Sequence, residues 1–315
     1  MAQYLVTGGG GFIGSNVVRA LLARGDQVRV LENFLTGKRE NLTDLLADID
    51  LLEGDLRDLD TVEDAVRGVD YVLHIGALPS VPRSIADPLL SHAINITGTL
   101  HVLEASRRAG VQRVVFSSSS SVYGNTPILP KQEDMPVNPL SPYAGHKAAG
   151  EVYCRVYQQI YGLETVCLRY FNVFGPRQDP DSAYAAVIPN FIKTLEQGEQ
   201  PVIHGDGLQS RDFTFIGNVV QANISAAVTP EAAGQVMNIA CGDRMTIACL
   251  AQKIADLLGK ELRPRYTASR AGDVKHSLAD ISRAQRLLDY RDLVDVDSGL
   301  EQTVAWFTGR QASTA

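Results

Sequence analysis

Short apolar runs alternate with longer amphipathic segments through the first half of the 315-residue chain. The runs are rich in Val, Leu and Ile and are nearly continuous, which is typical of strands buried on both faces of a parallel sheet. The segments between them have the periodicity of helices. The predicted strands are 4–7, 27–31, 50–52, 71–75, 113–116 and 165–168, and the predicted helices are 13–24, 59–66, 89–109 and 143–161.

This repetition of strand and helix predicts an α/β fold with a doubly wound parallel sheet of the Rossmann type. After about residue 171 the pattern loosens into loops with Pro and Gly, and helices are predicted again at 185–196, 217–227, 247–258 and 281–288. We therefore expect a nucleotide-binding domain at 1–171 and a smaller mixed α/β substrate lobe at 172–315. The apolar run 236–240 is expected to return to the main sheet.

The first predicted turn, "VTGGGGFIGSNVV", places Gly8, Gly11 and Gly14 between a strand and a helix. Without side chains, such a turn lets backbone amides approach a pyrophosphate, and the helix N-terminus adds partial positive charge. Phe12 and Ile13 open the helix and belong to the same predicted site. A tight turn without a ligand would need the same glycines, but the strand and the helix around it favour a dinucleotide site.

Glu32 ends the second predicted strand, where an acidic side chain binds the adenosine ribose diol of a dinucleotide. Its carboxylate would repel the 2′-phosphate of NADP, so this site, with Asn33 beside it, favours NAD. Lys38 and Arg39 follow closely and are interpreted as a solvated pair of charges in a loop.

Two further predicted strands end in candidate cofactor residues. Asp55, followed by Leu56, could reach the adenine edge, or Asp55 could cap the helix that begins near residue 58. Gly76 and Ala77 would let the backbone pass close to the cofactor. His74 lies within an apolar strand and is interpreted as a core histidine.

The serines in "RVVFSSSSSVYG" lie at the carboxyl end of the fifth predicted strand, the edge at which ligands bind in doubly wound sheets. Tyr143 and Lys147 follow four residues apart in "SPYAGHK", so they share one face of the next helix. They could be two residues on a solvated face. Alternatively, Lys147 and the positive nicotinamide ring could lower the pKa of the phenol from its usual value of about 10, giving a serine–tyrosine–lysine site for hydride transfer.

Composition excludes several classes of function. Hydrophobic residues make up 45% and charged residues 21% of the chain, as in soluble proteins with a well-filled core. A net charge of −7 argues against a nucleic-acid surface. We expect no membrane span, since no apolar run approaches about 18 residues, and no leader. The four cysteines lack metal-ligand spacing and are expected to be reduced core residues of a cytoplasmic protein without a metal: Cys154, Cys167, Cys241 and Cys249.

Seven motifs in order make the chain resemble the extended short-chain dehydrogenases/reductases, and among them the nucleotide-sugar 4-epimerases of UDP-glucose and UDP-N-acetylglucosamine. The resemblance covers almost the whole chain. It rests on "VTGGGGFIGS", "NITGTL", "SSSSSVYG", "SPYAGHK", "LRYFNVFGPRQDP", "GDGLQSRDFTFI" and "RAGDVKHS".

The resemblance implies roles for individual residues. Ser119 takes the place of the active-site serine, Tyr143 that of the catalytic base, and Lys147 that of the residue that binds the nicotinamide ribose. The other positions that it implies are Asn95, Ser117 and Tyr170 beside NAD, and Ser119, Ser120, Tyr143, Asn172, Ala186, Val187, Arg211, Arg270, Asp273 and Ser277 beside the UDP-sugar.

The resemblance gives Arg211 the role of a guanidinium that clamps the diphosphate, a group suited to bidentate contact. It gives Arg270 and Asp273 contacts with phosphate and the uridine ribose. On residue type alone, Arg211 could instead form an ion pair with Asp212, and Arg270 could be a solvated loop charge.

Related dehydratases carry Asp-Glu beside the active-site serine or threonine, and related decarboxylases carry Glu. The run Ser119–Ser120–Ser121 offers no carboxylate, which favours epimerisation at C4 through a transient 4-keto sugar, with NAD regenerated. In relatives restricted to unmodified hexoses a tyrosine stands where this chain has Ser277. The serine leaves room for a 2-acetamido group. Alternatively, Ser277 is only a small exposed residue in a loop whose alignment with those relatives has slipped.

Ala186 also resembles the N-acetylhexosamine enzymes. Pro79 differs from them, since they carry glycine there, so a UDP-glucuronate 4-epimerase remains the alternative. A non-catalytic NAD-binding regulator is the alternative from another class. The helices 89–109 and 143–161 resemble those that pair in dimeric relatives, so a homodimer is expected.

Overall fold

A computed structural model describes residues 1–181, 186–268 and 275–309. The strands are β1 (Gln3–Thr7), β2 (Gln27–Glu32), β3 (Ile49–Glu53), β4 (Tyr71–His74), β5 (Arg113–Ser119), β6 (Glu164–Tyr170), β7 (Val173–Phe174), β8 (Val202–His204), β9 (Ser210–Arg211), β10 (Thr214–Phe215), β11 (Val236–Ile239), β12 (Met245–Thr246) and β13 (Arg265–Thr267).

The helices cover both faces of the main sheet and build much of the second half. They are α1 (Phe12–Ala23), α2 (Leu59–Val66), α3 (Val81–Ala86), α4 (Pro88–His92), α5 (Gly98–Ala109), α6 (Pro142–Tyr161), α7 (Val187–Glu196), α8 (Ile216–Val228), α9 (Ile247–Leu258), α10 (Ser282–Leu288) and α11 (Val296–Thr308).

The main sheet has seven parallel strands in the order β11-β6-β5-β4-β1-β2-β3. The predicted doubly wound parallel sheet is therefore confirmed. The chain order reverses between β1 and β4, and in such sheets this switch point opens the crevice in which ligands bind. Strand β11 pairs with β6, so residues from the second half extend the sheet at that edge.

Burial on both faces explains why the strands lack polar alternation. Val6 and Val115 pack into one apolar layer, which includes side chains of α1 and α8. Leu5 and Val114, one residue earlier in each strand, pack into the opposite layer with α2, α5 and α6. Both layers stay apolar because successive strand residues point to opposite faces.

The predicted helix at 89–109 is interrupted. Helix α4 ends at His92, residues Ala93–Thr97 form a π-helical segment, and α5 begins at Gly98. Asn95 in this segment donates through Nδ2 to the Leu78 carbonyl (3.0 Å) and accepts from the Leu78 amide (2.7 Å). Such segments are frequent at functional sites, and this one fixes the chain that follows β4.

The second half carries small sheets of two strands: β7 with β10 and β8 with β13 are parallel, and β9 with β12 is antiparallel. The four cysteines are free. Cys154 and Cys167 are buried as expected, but the prediction of a core position is wrong for Cys249, which is exposed at the start of α9. Within the described part of the chain, no helix is long and apolar enough to span a membrane.

Candidate active site

A cavity of about 560 Å³ opens at the carboxyl edge of the main sheet, at the switch point between β1 and β4. It gathers most of the residues predicted to bind the cofactor. Those that line it are Gly8, Gly11, Phe12, Ile13, Gly14, Glu32, Asn33, Asp55, Leu56, Gly76, Ala77, Ser117, Tyr143, Lys147 and Tyr170. Asn95 lies behind this wall and acts on it through Leu78, a lining residue.

The glycine turn leaves no space for side chains. Gly8 has φ +72°, and a Cβ there would lie 2.7 Å from the Gly76 Cα. A Cβ on Gly14 would lie 2.1 Å from the Gly8 carbonyl oxygen. Helix α1 begins after Gly11 without a side-chain cap, so its first amides stay available to an anion. The turn therefore fits the pyrophosphate of a dinucleotide.

The part of the cavity next to the ends of β2 and β3 holds two carboxylates. Glu32 accepts from the amides of Gly10 (3.0 Å) and Phe34 (2.8 Å), which fixes its orientation at the wall. Asp55 accepts from Asn33 Nδ2 (2.8 Å), and its hydrogen bond with Arg57 lowers its pKa to about 2. These residues fit a ribose diol and an adenine edge.

The capping role considered for Asp55 is wrong. Helix α2 is capped by Asp58, which accepts from the Asp60 amide at 3.2 Å.

The end of the cavity that is predicted to be catalytic is built by β5 and α6. Pro142 starts α6, and the Ser141 side chain caps it by accepting from the Ala144 amide (3.2 Å), so Tyr143 lies in the first turn. Lys147 Nζ is 5.9 Å from the Tyr143 ring centroid and donates to the Ser117 carbonyl at 2.7 Å. The pair therefore faces the sheet edge and not solvent.

The pKa of Tyr143 is raised, because burial disfavours the phenolate more than its hydrogen bond with Ser119 favours it. Burial also lowers the pKa of Lys147 to about 8. The expectation that Lys147 lowers the pKa of Tyr143 is therefore not met by the protein groups alone. A further positive charge is needed, which the nicotinamide ring of bound NAD would supply.

Polar side chains support the floor of this end. Ser117 Oγ lies 2.9 Å from the Tyr170 hydroxyl, which donates to Asn223 Oδ1 at 2.9 Å. His74 contacts the hydroxyls of Thr7 (2.8 Å) and Thr99 (2.9 Å) and is a satisfied core histidine, as predicted. Among the residues that the structure describes, no group of His, Cys, Asp and Glu could hold a metal ion.

Four of the ten predicted substrate residues line a second cavity of about 260 Å³. Asn172, Ala186, Val187 and Arg211 line it, together with apolar side chains such as Phe191. Its size and its aromatic and basic lining fit one end of a nucleotide-sugar.

Ser277 lies next to this wall: its Oγ accepts from Asn172 Nδ2 (3.1 Å) and from the Asp212 amide (3.2 Å). Ser119 ends β5 and Ser120 starts the turn after it, and neither lines either of these two cavities as the described residues build them. Arg270 and Asp273 lie outside the described residues.

Arg211 and Asp212, which follow each other at the second cavity, have different hydrogen-bond partners. The Arg211 guanidinium donates to the carbonyls of Ser210 (3.0 Å) and Lys275 (3.2 Å). The Asp212 carboxylate accepts from the amides of Cys241 and Ala279 (both 3.0 Å), and burial raises its pKa to about 7. Asp212 thus joins the β11 end to the segment that carries Ser277.

Sequence reasoning missed five charged residues that line the first cavity: Lys38, Arg83, Arg177, Asp179 and Asp181. Lys38, interpreted as a solvated charge, forms an ion pair with Asp179 at 3.0 Å, which links two loops at the cavity. Arg177 has φ +70° and donates to Asn16 Oδ1 (3.0 Å) in the first turns of α1. The motif "FGPRQDP" was the available signal, but a pattern of local elements does not place that loop against α1.

Comparisons with known proteins agree with this geometry. The model described as the NAD dependent epimerase/dehydratase family matches residues 4–240. A UDP-glucose 4-epimerase from Mycolicibacterium smegmatis is 38% identical over 310 residues, which cover 97% of this chain and 98% of the relative.

The chain is also similar to solved structures of 4-epimerases. A UDP-N-acetylglucosamine 4-epimerase from Methanobrevibacter ruminantium, in complex with UDP-N-acetylmuramic acid, is 42% identical with a TM-score of 0.93, and the match covers 98% of each chain. A Thermus thermophilus UDP-glucose 4-epimerase in complex with NAD is 37% identical with a TM-score of 0.90, covering 98% of this chain and 99% of that one. The chain belongs to the NAD-dependent epimerase/dehydratase family.

Proposed function

We propose that the protein is a UDP-hexose 4-epimerase that interconverts UDP-GlcNAc and UDP-GalNAc, and that it also accepts UDP-glucose and UDP-galactose. The observation that carries this proposal is that Tyr143 and Lys147 line the first cavity, with Lys147 held on β5 and Ser119 at the end of that strand. The serine run at the end of β5 has no carboxylate, so it provides one proton-transfer group and no extra acid for elimination.

Bound NAD supplies the oxidation of C4 and its reversal. Tyr143 removes the proton of the 4-hydroxyl and returns it after the sugar has turned over. Ser119, whose side chain acts to lower the pKa of Tyr143, assists this proton transfer by hydrogen-bonding the 4-hydroxyl. Lys147, held on the Ser117 carbonyl, places its ammonium beside the phenol and binds the ribose next to it.

In this proposal the two halves of the chain bind different molecules. Residues 1–171 hold NAD, and residues 172–315 mainly hold the UDP-sugar, with Arg211 on the diphosphate and Arg270 and Asp273 on phosphate and ribose. Hydrogen exchange with UDP added should slow mainly in the second half. Slowing confined to residues 1–171 would contradict this division.

The test is turnover of the purified protein on UDP-GlcNAc, UDP-glucose and UDP-glucuronate in parallel, with chromatographic separation of the C4 epimers. Formation of UDP-GalNAc supports the proposal. Turnover of UDP-glucuronate alone would favour the alternative substrate. No epimer from any of them, with NAD bound, would favour a non-catalytic NAD-binding regulator.

Sugar choice is expected to depend on Ser277. Ser277→Tyr should lower kcat/KM for UDP-GlcNAc by about 10- to 100-fold and that for UDP-glucose by less than about threefold, because a ring there fills the space for the acetamido group. Parallel kinetics on both substrates measure this. Ser277→Ala is the matched control, since it removes the contacts to Asn172 and Asp212 and keeps the space. Equal losses for both sugars in Ser277→Tyr would contradict the proposed role.

We also propose a homodimer formed through α6 and its neighbours. Val152, Val156 and Ile160 repeat every four residues on α6 and are 48%, 39% and 70% exposed, and Leu89 on α4 is 82% exposed. An apolar stripe of this kind is typical of a helix-to-helix interface.

Ile160→Asp is expected to convert the dimer into a monomer, because a carboxylate would be buried in the apolar interface. Light scattering after size exclusion measures the mass. Leu208→Asp, which changes an exposed leucine of the second half, is the control and should leave the mass unchanged. A wild-type monomer, or a dimer that survives Ile160→Asp, would contradict the proposed interface.

We place the protein in the cytoplasm, which the four free cysteines support. Cell fractionation with detection by antibody tests this, and recovery from the membrane or extracellular fraction would contradict it.

A further inference from the structure

Helix α6 carries a buried carboxylate that the proposed chemistry does not use. Glu151 follows Lys147 by four residues and Tyr143 by eight, so the three side chains lie along one face of the helix. Glu151 is 9% exposed. Because a carboxylate is costly to bury, its contacts need a reason.

Glu151 connects α6 to two central strands. Its Oε1 accepts from Ser118 Oγ (2.5 Å) and Arg169 Nε (2.8 Å), and its Oε2 accepts from Arg169 Nη2 (2.7 Å). Ser118 on β5 and Arg169 on β6 are partners across the sheet and are themselves buried. A single carboxylate therefore fixes both strands against the helix.

The contacts of β5 with α6 run in register along the active site. The Ser117 carbonyl accepts from Lys147, the Ser118 hydroxyl donates to Glu151, and the side chain of Ser119 acts to lower the pKa of Tyr143. A shift of the strand end against the helix would change all three contacts together. The Ser118–Glu151 contact is the one of the three that involves no group placed at the reaction.

We propose that Glu151, acting through Ser118, is a positioning residue that sets the distance between Ser119 and Tyr143 and supports the ammonium of Lys147. The effect on turnover rests on the proposed epimerase function. The effect on Lys147 is independent of it. A purely structural ion pair with Arg169 would stabilise the fold without either effect.

Charges around Lys147 agree with this role. Burial lowers the pKa of Lys147 to about 8, whereas Cys154 and Glu151 act in the opposite direction. The other titratable groups that face it are Tyr143 and His146 on α6 and His74 on β4, and burial, with a smaller contribution from the Lys147 charge, lowers the pKa of His74 to about 3. Glu151 is thus the carboxylate among the groups that favour the charged form of Lys147.

Two variants separate the contributions. Glu151→Gln removes the charge, but it leaves Arg169 buried beside a neutral amide and can lower stability. Ser118→Ala removes the hydrogen bond and keeps the ion pair with Arg169. The matched control is Thr165→Val, which removes another buried hydrogen bond between β6 and α6, from Thr165 Oγ1 to the Cys154 carbonyl (3.0 Å).

The first measurement is the ionisation of Lys147 in the NAD-loaded protein, followed by carbon-13 NMR of labelled lysines and assigned with Lys147→Met. Glu151→Gln should move the midpoint to lower pH than in the wild type, because the charged form loses its carboxylate neighbour. Thr165→Val should leave it in place. An unchanged midpoint in Glu151→Gln would overturn the electrostatic part of the proposal, whether or not the protein is an epimerase.

The second measurement is steady-state turnover. Ser118→Ala should lower kcat by about 10- to 100-fold, as expected for a small misplacement of reacting groups, with KM changed less than about twofold. Thr165→Val should keep the wild-type kcat. Wild-type kcat in Ser118→Ala would overturn the positioning role, whereas a wild type that forms no epimer would contradict the proposed function instead.

Discussion

Tyr143→Phe is expected to lose about a thousandfold or more of epimerase turnover while it retains NAD. In the proposed mechanism the Tyr143 phenolate accepts the 4-hydroxyl proton, and a positioned acid–base group contributes about 10²- to 10⁴-fold. The ring itself keeps its packing at the cavity wall, so the cofactor site should persist. The measurements are kcat from epimer separation and the NAD content of the purified protein.

The matched control is Tyr123→Phe. Its hydroxyl is also buried and donates to Asn238 Oδ1 at 2.6 Å, but Tyr123 lines neither cavity. The control should lose some thermal stability and keep turnover within about threefold, since one buried hydrogen bond contributes about 1 kcal/mol. Turnover that survives in Tyr143→Phe would assign the proton transfer to another group.

The raised pKa of Tyr143 in the protein alone has a consequence for this chemistry. Counting charges in the sequence suggested a phenol with a lowered pKa, because Lys147 is one turn away. Burial reverses that result, since it disfavours phenolate and ammonium together. The base is therefore expected to become active only when the cofactor charge is present, which would limit proton transfer to the loaded enzyme.

The sheet could be predicted from sequence because the patterns that mark its strands lie within short stretches of the chain. Each strand is an apolar run buried on two faces, and the glycine turn with Gly8 and Gly14 marks the first crossover. The position of the serine run at the end of β5 followed from the same pattern. The register in which Ser118 and Arg169 face each other did not, because pairing between strands is not encoded in either run alone.

The cavity residues that could not be predicted are positioned by contacts between segments that are distant in sequence. Asp179 meets Lys38 across 141 positions of the sequence, and Arg177 meets Asn16 across 161. In sequence these residues have the composition of solvated loops. Their places at the cavity follow from how the segment after β7 packs against α1, which depends on the whole fold.

Gly14→Ala is expected to weaken NAD binding by about a hundredfold, corresponding to about 3 kcal/mol of overpacking. The added Cβ would lie 2.1 Å from the Gly8 carbonyl oxygen and 2.8 Å from the Gly9 Cα, and both are backbone atoms that cannot rotate away. Helix α1 must then move from the turn, which misaligns the amides that we expect to bind the pyrophosphate. The dissociation constant can be measured by titrating NAD into protein stripped of cofactor.

Gly25→Ala is the control at the other end of α1. Gly25 has φ +82° with nothing within 4 Å of an added Cβ, so alanine there costs about 1–2 kcal/mol of stability through its backbone and causes no clash. It should lower the melting temperature and leave NAD affinity unchanged. If both variants lose NAD in proportion to their stability, affinity depends on the general stability of α1. If Gly14→Ala alone loses it, the close approach of α1 to the turn is what builds the pyrophosphate site.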